Sequence, residues 1–345
     1  MAVNIRVYGF KNLMYTSFDN IGLLKVLSFL KSHKSEYLSG QDLSDVLKIS
    51  RVAIWKHVKK ISALGYTIES KQKRGYKFMK TTKQLLPWEV SSKLRTNYIG
   101  KRIYYFEETD STQNFALQIA QNKKENGTII IAQKQTHGKG RLNRKWISPK
   151  GGIWFSIILQ PDFTIDESVL LPIVTAVALS NAIQKSLKIK TNVKWPNDIT
   201  LNRKKVAGII IDASFQSNNI ESIIIGIGIN YKIKSKELEK KIINTPNFYG
   251  VDSLLNESQN DNPITLVKDF IHELEKKIDE LSNGKKSKII KEWTKNSETI
   301  NKKVTINTIN GKISGIAKKL DIDGALKIKT KYGIERIFVG DVSLK

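Results

Sequence analysis

Between Gln133 and Trp154 the sequence reads QKQTHGKGRLNRKWISPKGGIW, a stretch holding Lys134, Lys139, Arg141, Arg144, Lys145 and Lys150. No Asp or Glu occurs between Glu125 and Asp162 to neutralise them. Gly138 and Gly140 let the backbone approach a ligand closely, and Arg141 and Arg144 can fork onto carboxylate or phosphate oxygens. An anion is the expected occupant. The spacing is not that of a common phosphate loop: G-x-x-x-x-G-K-[ST] is absent, and G-x-G-x-x-G would need glycine where Asn143 stands. Two other stretches carry the same promise. VKWPNDITLNRKKVAGIIID puts Trp195, Pro196 and Asn197 in a turn, with Lys205 and Gly208 on the return strand of a hairpin. IIIGIGIN, residues 223–230, interrupts a run of isoleucines with Gly226 and Gly228, which marks a bulge or the close approach of a ligand.

Composition removes several alternatives. The chain has no cysteine, so a disulfide framework, thiolate metal sites and a cysteine nucleophile are excluded. His33, His57, His137 and His272 are scattered without metal-ligand spacing. The first residues contain nothing like a signal-peptide core, and the apolar run 169–179 is too short to span a bilayer, so a cytoplasmic protein without a membrane partner is expected. The net charge of +26 suggests a polyanionic partner, and residues 1–80 hold 15 Lys+Arg against 5 Asp+Glu.

At 345 residues, two or three domains must position these groups. An α+β architecture is predicted. Residues 1–20 form an extension with no assigned role, and residues 21–80 read as a winged helix-turn-helix. There IGLLKVLSFL is a core helix, Ser39 and Asp42 form a capping box, and Ser50 caps a helix from Arg51 to Leu64. Ile54, Val58 and Ile61 make its buried stripe, while Arg51, Trp55 and Lys59 lie on another face beside Lys56 and Lys60. Two strand-like runs flank the basic turn with Lys73 and Arg74, in the manner of a wing. The residues expected to meet DNA are therefore Ser50, Arg51, Trp55, Lys56, Lys59, Lys60, Lys73 and Arg74.

Residues 85–298 read as an α+β domain on a mostly antiparallel sheet, with strands at 128–133, 152–160, 192–194, 199–201, 205–212 and 220–230 and one core helix from Glu167 to Leu187. Turns are expected at 202–204 and 217–219. Residues 299–345 alternate in short strands separated by Asn310-Gly311, Asp323-Gly324 and Tyr332-Gly333, which suggests four or five strands closing into a small β-barrel.

Taken in order, the winged helix, DSTQN, QTHGKGRLNRKW, KWPNDI, KKVAGIIID, GIGIN and the small barrel resemble the biotin–protein ligases, in particular the bifunctional form that also represses the biotin operon. The likeness runs from about Leu23 to Leu344. It implies formation of biotinyl-5′-AMP from biotin, ATP and Mg2+, then transfer to a lysine of a biotin carboxyl carrier domain. The family's biotin contacts fall on Ser111, Thr112, Gln113 and Gln135, and on Lys139, Gly140, Arg141 and Lys205. Its adenylate contacts fall on Arg141, Arg144, Trp146, Asn197 and Asn230. Lys205 and Arg141 are the expected catalytic pair. Metal ligands are not identified; Asp198 is a weak candidate, because a turn Asp commonly bonds its own backbone. Operator DNA and an adenylate-promoted homodimer are further implied partners. Two departures stand out: Gln113 fills the fourth place of the usual DSTN, and GKGRLNRKW has Lys139 for Arg and Asn143 for Gly. A biotin sensor without ligase activity and a lipoate-type acyl ligase are the competing readings.

Overall fold

The computed structural model describes residues 14–16, 21–122, 125–160, 163–216, 219–242, 249–256, 259, 261–308 and 311–344. The chain divides into two compact units, one spanning Thr16–Leu86 and the other built on Pro87–Lys345. In the small unit, α1 (Ile21–Ser32) buries Leu23, Val26, Leu27 and Leu30, the stripe its apolar spacing dictates. Helix α2 (Gly40–Leu47) opens with the expected capping box: Ser39 Oγ accepts the Asp42 N–H at 3.0 Å and Asp42 returns the contact to Ser39 N at 3.2 Å. Lys48, at φ 55°, ends it. Helix α3 (Arg51–Ala63) starts where Ser50 Oγ accepts from Ala53 N, and it buries Ile54, Val58 and Ile61. Strands β2 (Thr67–Lys71) and β3 (Gly75–Lys80) pair antiparallel as the wing.

The large unit is organised by an eight-stranded sheet in the order β1-β4-β5-β6-β10-β9-β8-β7. These strands are β1 (Met14–Thr16), β4 (Ile103–Phe106), β5 (Ile129–Ala132), β6 (Ile153–Leu159), β7 (Asn192–Lys194), β8 (Asp198–Leu201), β9 (Lys204–Gln216) and β10 (Asn219–Ile229). Strand β1 lies inside the N-terminal extension, residues 1–20. Strands β4 and β5 run parallel, and the pairings from β5 through β6, β10, β9 and β8 to β7 are antiparallel. Helix α4 (Pro87–Ser91) precedes β4, and α5 (Thr112–Asn122) makes the crossover from β4 to β5. Because strand side chains alternate faces, Ile158 and Ile224 pack with Phe115 and Ala116 of α5, whereas Phe155 faces the other way, 5.5 Å from Phe270. Phe270 belongs to α9 (Pro263–Ser282), which packs with α7 (Leu171–Leu187).

The expected helix from Glu167 to Leu187 is two. Helix α6 (Ile165–Ser168) stops and α7 restarts at Leu171, with Pro172 in its first turn, where the missing N–H costs nothing. Residues 165–187 are long and apolar enough by composition to cross a membrane, unlike the shorter run counted in the sequence, but most of α7 is buried in the core. Helices α8 (Ser235–Ile242) and α10 (Lys286–Lys295) complete the unit. The C-terminal piece is a five-stranded antiparallel sheet of β11 (Lys303–Thr308), β12 (Gly311–Leu320), β13 (Leu326–Thr330), β14 (Gly333–Ile337) and β15 (Asp341–Leu344), with β14 and β15 at its two edges. The turns expected at 217–219 and at Asn310 lie partly outside the described residues.

Candidate active site

The basic glycine segment is a folded hairpin carried between β5 and β6. Gln135 N donates to Ser148 O at 3.1 Å, Trp146 N to Gly138 O at 2.8 Å, and Gly140 N to Arg144 O at 2.7 Å. Glycine is required at 138, because a Cβ there would meet Trp146 O at 2.5 Å. The tip is a short turn at Arg141–Asn143 that leaves Leu142 exposed.

This hairpin lies over a row of small residues in the sheet. Gly228 pairs with Gly208 across β10 and β9, and Gly226 with Ile210. A Cβ on Gly228 would meet Trp146 Nε1 at 2.5 Å, and one on Gly208 would meet the far edge of the same ring at 2.9 Å. A Cβ on Gly226 would strike Gln113. The two strand glycines are thus not bulges, since the ladder is regular through both. They are where Trp146 and Gln113 sit.

A cavity of about 190 Å³ results. At one end are Ser111, Thr112 and Gln113, at the start of α5, with Gln135. Lys139, Gly140, Arg141, Arg144 and Trp146 enter from the hairpin, and Asn197, Lys205 and Asn230 from the sheet. All of the residues assigned to biotin or adenylate therefore surround one space, although Lys139 is exposed at its margin. In DSTQN, Asn114 turns back to Asp110 at 2.9 Å, and Gln113 is the amide that reaches the sheet.

The electrostatics are cationic but locally compensated. Lys205 Nζ lies 2.6 Å from Asp198 Oδ1 and 5.0 Å from the Trp146 ring centroid. Tyr249 Oη donates to Asp198 Oδ2 at 2.7 Å, so Asp198 serves side chains across the site, in place of the backbone of its own turn that the sequence suggested. The backbone of Lys205 is held on both sides, N–H to Gly250 O at 3.1 Å and C=O from Asp252 N at 3.0 Å. Lys194 Nζ sits 3.0 Å from the Tyr249 ring centroid, and burial pulls its pKa down to about 8, with Asp198 opposing and Lys205 reinforcing the shift. Arg141 donates to Asn197 Oδ1 at 3.1 Å; burial lowers its pKa, against the pull of Asp341 and Asp198. Trp146 Nε1 and Asn230 Oδ1 are buried at the cavity without a hydrogen-bond partner among the described residues, one a donor and one an acceptor.

Among the polar residues lining this site, Lys194, Ser156, Tyr249 and Asp341 escaped the sequence reading. Lys194 opens the KWPNDI stretch and could have been singled out from it. Asp341, from β15, pairs with Arg144 and lies 3.8 Å from Arg141, and no local pattern links so distant a residue to the hairpin.

In the small unit, Arg51, Trp55, Lys56 and Lys59 are exposed on α3 and Lys60 is partly covered. Lys59 Nζ lies 3.9 Å from the Trp55 ring centroid. Lys73, at φ 64°, and Arg74 project at the wing, and Arg74 stacks 4.3 Å from Tyr37. The Ser50 hydroxyl is engaged as the helix cap.

The bifunctional ligase/repressor BirA of Bacillus subtilis is 32% identical over 313 residues, 90% of this chain and 94% of its own. The chain belongs to the biotin protein ligase family. The Biotin/lipoate A/B protein ligase family matches residues 105–230, an HTH domain matches 23–77, and the Biotin protein ligase C terminal domain matches 299–345. The bifunctional ligase/repressor BirA of Escherichia coli is 26% identical across 95% of this chain and 98% of its own. Among solved structures, a biotin protein ligase from Aquifex aeolicus in complex with biotin and ATP superposes with a TM-score of 0.57 at 28% identity, covering 70% of this chain and 98% of that one. In this biotin ligase chain the glycine hairpin, the KWPNDI turn and the GIGIN strand thus form one site.

Proposed function

We propose that this protein joins biotin to the α-phosphate of ATP, releases pyrophosphate, and passes the biotinyl group to a lysine of a carrier domain. The observation that carries the reading is the convergence of Arg141, Arg144, Lys205 and Trp146 on one cavity. A biotin carboxylate is ionised near neutral pH, so its attack on phosphorus requires no general base. It requires alignment and relief of repulsion between anions. Lys205 supplies that relief by exchanging Asp198 for the reacting carboxylate and α-phosphate. Arg141 and Arg144 exchange Asp341 for the remaining phosphates, and Trp146 covers the ligand against water. Asn230 Oδ1 is a suitable acceptor for the adenine amino group, since it has no hydrogen-bond partner among the described residues.

Magnesium enters as part of the nucleotide substrate. Among the described residues no cluster of three or more His, Cys, Asp or Glu stands ready to hold it, and the phosphates are its natural ligands. Biotin-dependent exchange of labelled pyrophosphate into ATP tests the reading: exchange is expected with biotin and not with lipoate. Lipoate-driven exchange would assign the lipoate-type activity, and no exchange would leave a sensor.

The small unit supports a second role as a biotin-responsive repressor in the cytoplasm. Its exposed basic α3 and wing suit the major groove and neighbouring phosphates. A homodimer formed with bound adenylate would present two such units to operator half-sites.

A further inference from the structure

The polar floor of the cavity has a hydrogen-bond direction that can be worked out donor by donor. Gln113 is 3% exposed, and its Nε2 donates to Asp212 Oδ2 at 2.9 Å and to the Ile224 carbonyl at 3.2 Å. Neither partner can donate, so both amide hydrogens are spent and Oε1 must point the other way, as an acceptor. It receives the single hydrogen of Ser156 Oγ at 2.9 Å. At the opposite side, Gln135 Oε1 accepts the Thr112 backbone N–H at 2.8 Å, which directs Gln135 Nε2 to Ser148 Oγ at 2.8 Å. Thr112 Oγ1 lies between the two systems, 2.9 Å from Ser156 Oγ and 3.1 Å from Gln135 Oε1. Since the Ser156 hydrogen is committed to Gln113, Thr112 gives its own hydrogen to one of these two acceptors. Neither Thr112 nor Ser156 has a hydroxyl hydrogen left for a ligand.

We infer that Asp212, acting through Gln113 and Ser156, fixes this polarity, so that Thr112 and Ser156 offer only lone pairs to the cavity they line. Asp212 is a positioning residue, set back from the lining residues, and Gln113 acts through Ser156 as well as by shape. A floor of this kind takes a ring that presents N–H donors, such as a cyclic urea. It disfavours an acceptor atom set against the Thr112 and Ser156 oxygens, and it gains nothing there from an apolar dithiolane, which would leave those lone pairs buried and unpaired. The inference rests on the biotin reading above and adds the residues that enforce it.

The test is calorimetric binding of biotin, and of an analogue in which one ureido N–H is replaced by a ring oxygen, to the full-length protein and to Asp212→Leu, Asp212→Asn and Ser156→Ala. Wild type is expected to prefer biotin by more than about tenfold, the equivalent of one buried polar mismatch. Asp212→Leu should lose about tenfold in biotin affinity and much of that preference, because the Gln113 amide is then held by one acceptor. Asp212→Asn, whose amide oxygen still accepts, should stay within about threefold of wild type. In turnover the loss should fall on KM for biotin and leave KM for ATP unchanged. If the Leu protein does not fold, Ser156→Ala carries the test, since it cuts the link to Thr112 and should lower the preference equally. Unchanged preference in the folded variants, or an equal loss for biotin, analogue and ATP, overturns the inference. A wild type that binds no biotin rejects the ligase reading itself.

Discussion

Arg144, at the tip of the glycine hairpin, is paired with Asp341, the first residue of the last strand. Arg141 adds a second tie, pointing both Nη atoms at the Gly340 carbonyl at 3.4 Å. The C-terminal sheet therefore holds the hairpin by the same guanidinium groups that phosphates would claim. Asp341→Ala should loosen residues 138–146 without unfolding the protein. A partly exposed pair contributes about 1 kcal/mol, so amide exchange in that segment should quicken about fivefold. Adding ATP and biotin should restore protection. Equal protection in variant and wild type would mean that the pair holds nothing.

Lys205 has its backbone pinned by two hydrogen bonds and its ammonium 2.6 Å from Asp198, so the fold itself carries it to the cavity. Lys205→Ala should retain the fold and the thermal transition yet lose on the order of 10²- to 10³-fold in pyrophosphate exchange, the scale of one removed electrostatic donor. Near-normal exchange would refute the role.

Much of this site was legible because its chemistry is local. Gly138, Arg141 and Arg144 announce an anion by type and spacing, and Ser39 with Asp42 announce a helix start. What stayed hidden depends on the third dimension. Gly226 and Gly228 allowed two readings, bulge or close approach, and only the regular β9–β10 ladder with Trp146 and Gln113 lying on it decides between them. Asp341 meets the hairpin through packing of a separate sheet, and the break before Pro172 was masked by a continuous apolar pattern.

The two strand glycines should separate the two ends of the cavity. Gly228→Ala drives a methyl into the Trp146 indole, and Gly226→Ala into the Gln113 amide. The first should raise KM for ATP by at least about tenfold while sparing biotin, and the second the reverse, since overpacking costs about 1–3 kcal/mol where the neighbour cannot move. Steady-state kinetics with each substrate varied in turn would show the crossed pattern, and identical effects would deny the division.

Lys194 should leave a mark on the pH dependence of stability. Its pKa is about 8 in the folded protein against an ordinary 10.5. Below about 8 both states carry the proton and the burial penalty is fully present. Above it the unfolded chain binds more protons, so this residue makes stability rise with pH, by up to about 1.4 kcal/mol per pH unit, until the unfolded pKa is passed. Denaturant titrations should show that rise in wild type relative to Lys194→Met. A phosphate nearby would restore the charged form, so adenylate binding above about pH 8 should take up a proton and weaken as pH increases.

On α3 the basic side chains are not equivalent. Lys56 is exposed with no cation–π partner among the described residues, whereas Lys59 lies on the Trp55 ring and is partly committed to it. If α3 meets DNA, Lys56→Ala should weaken binding to all sequences alike and reduce the slope of log affinity against log salt by about 1. Trp55→Ala should instead lower affinity with the slope nearly unchanged, because it removes contact area and a seat for Lys59 but no charge. Titrations of the adenylate-bound protein at several salt concentrations distinguish the two. A slope unaltered by Lys56→Ala would take this helix away from the phosphates and leave the basic small unit without a DNA-facing role for α3.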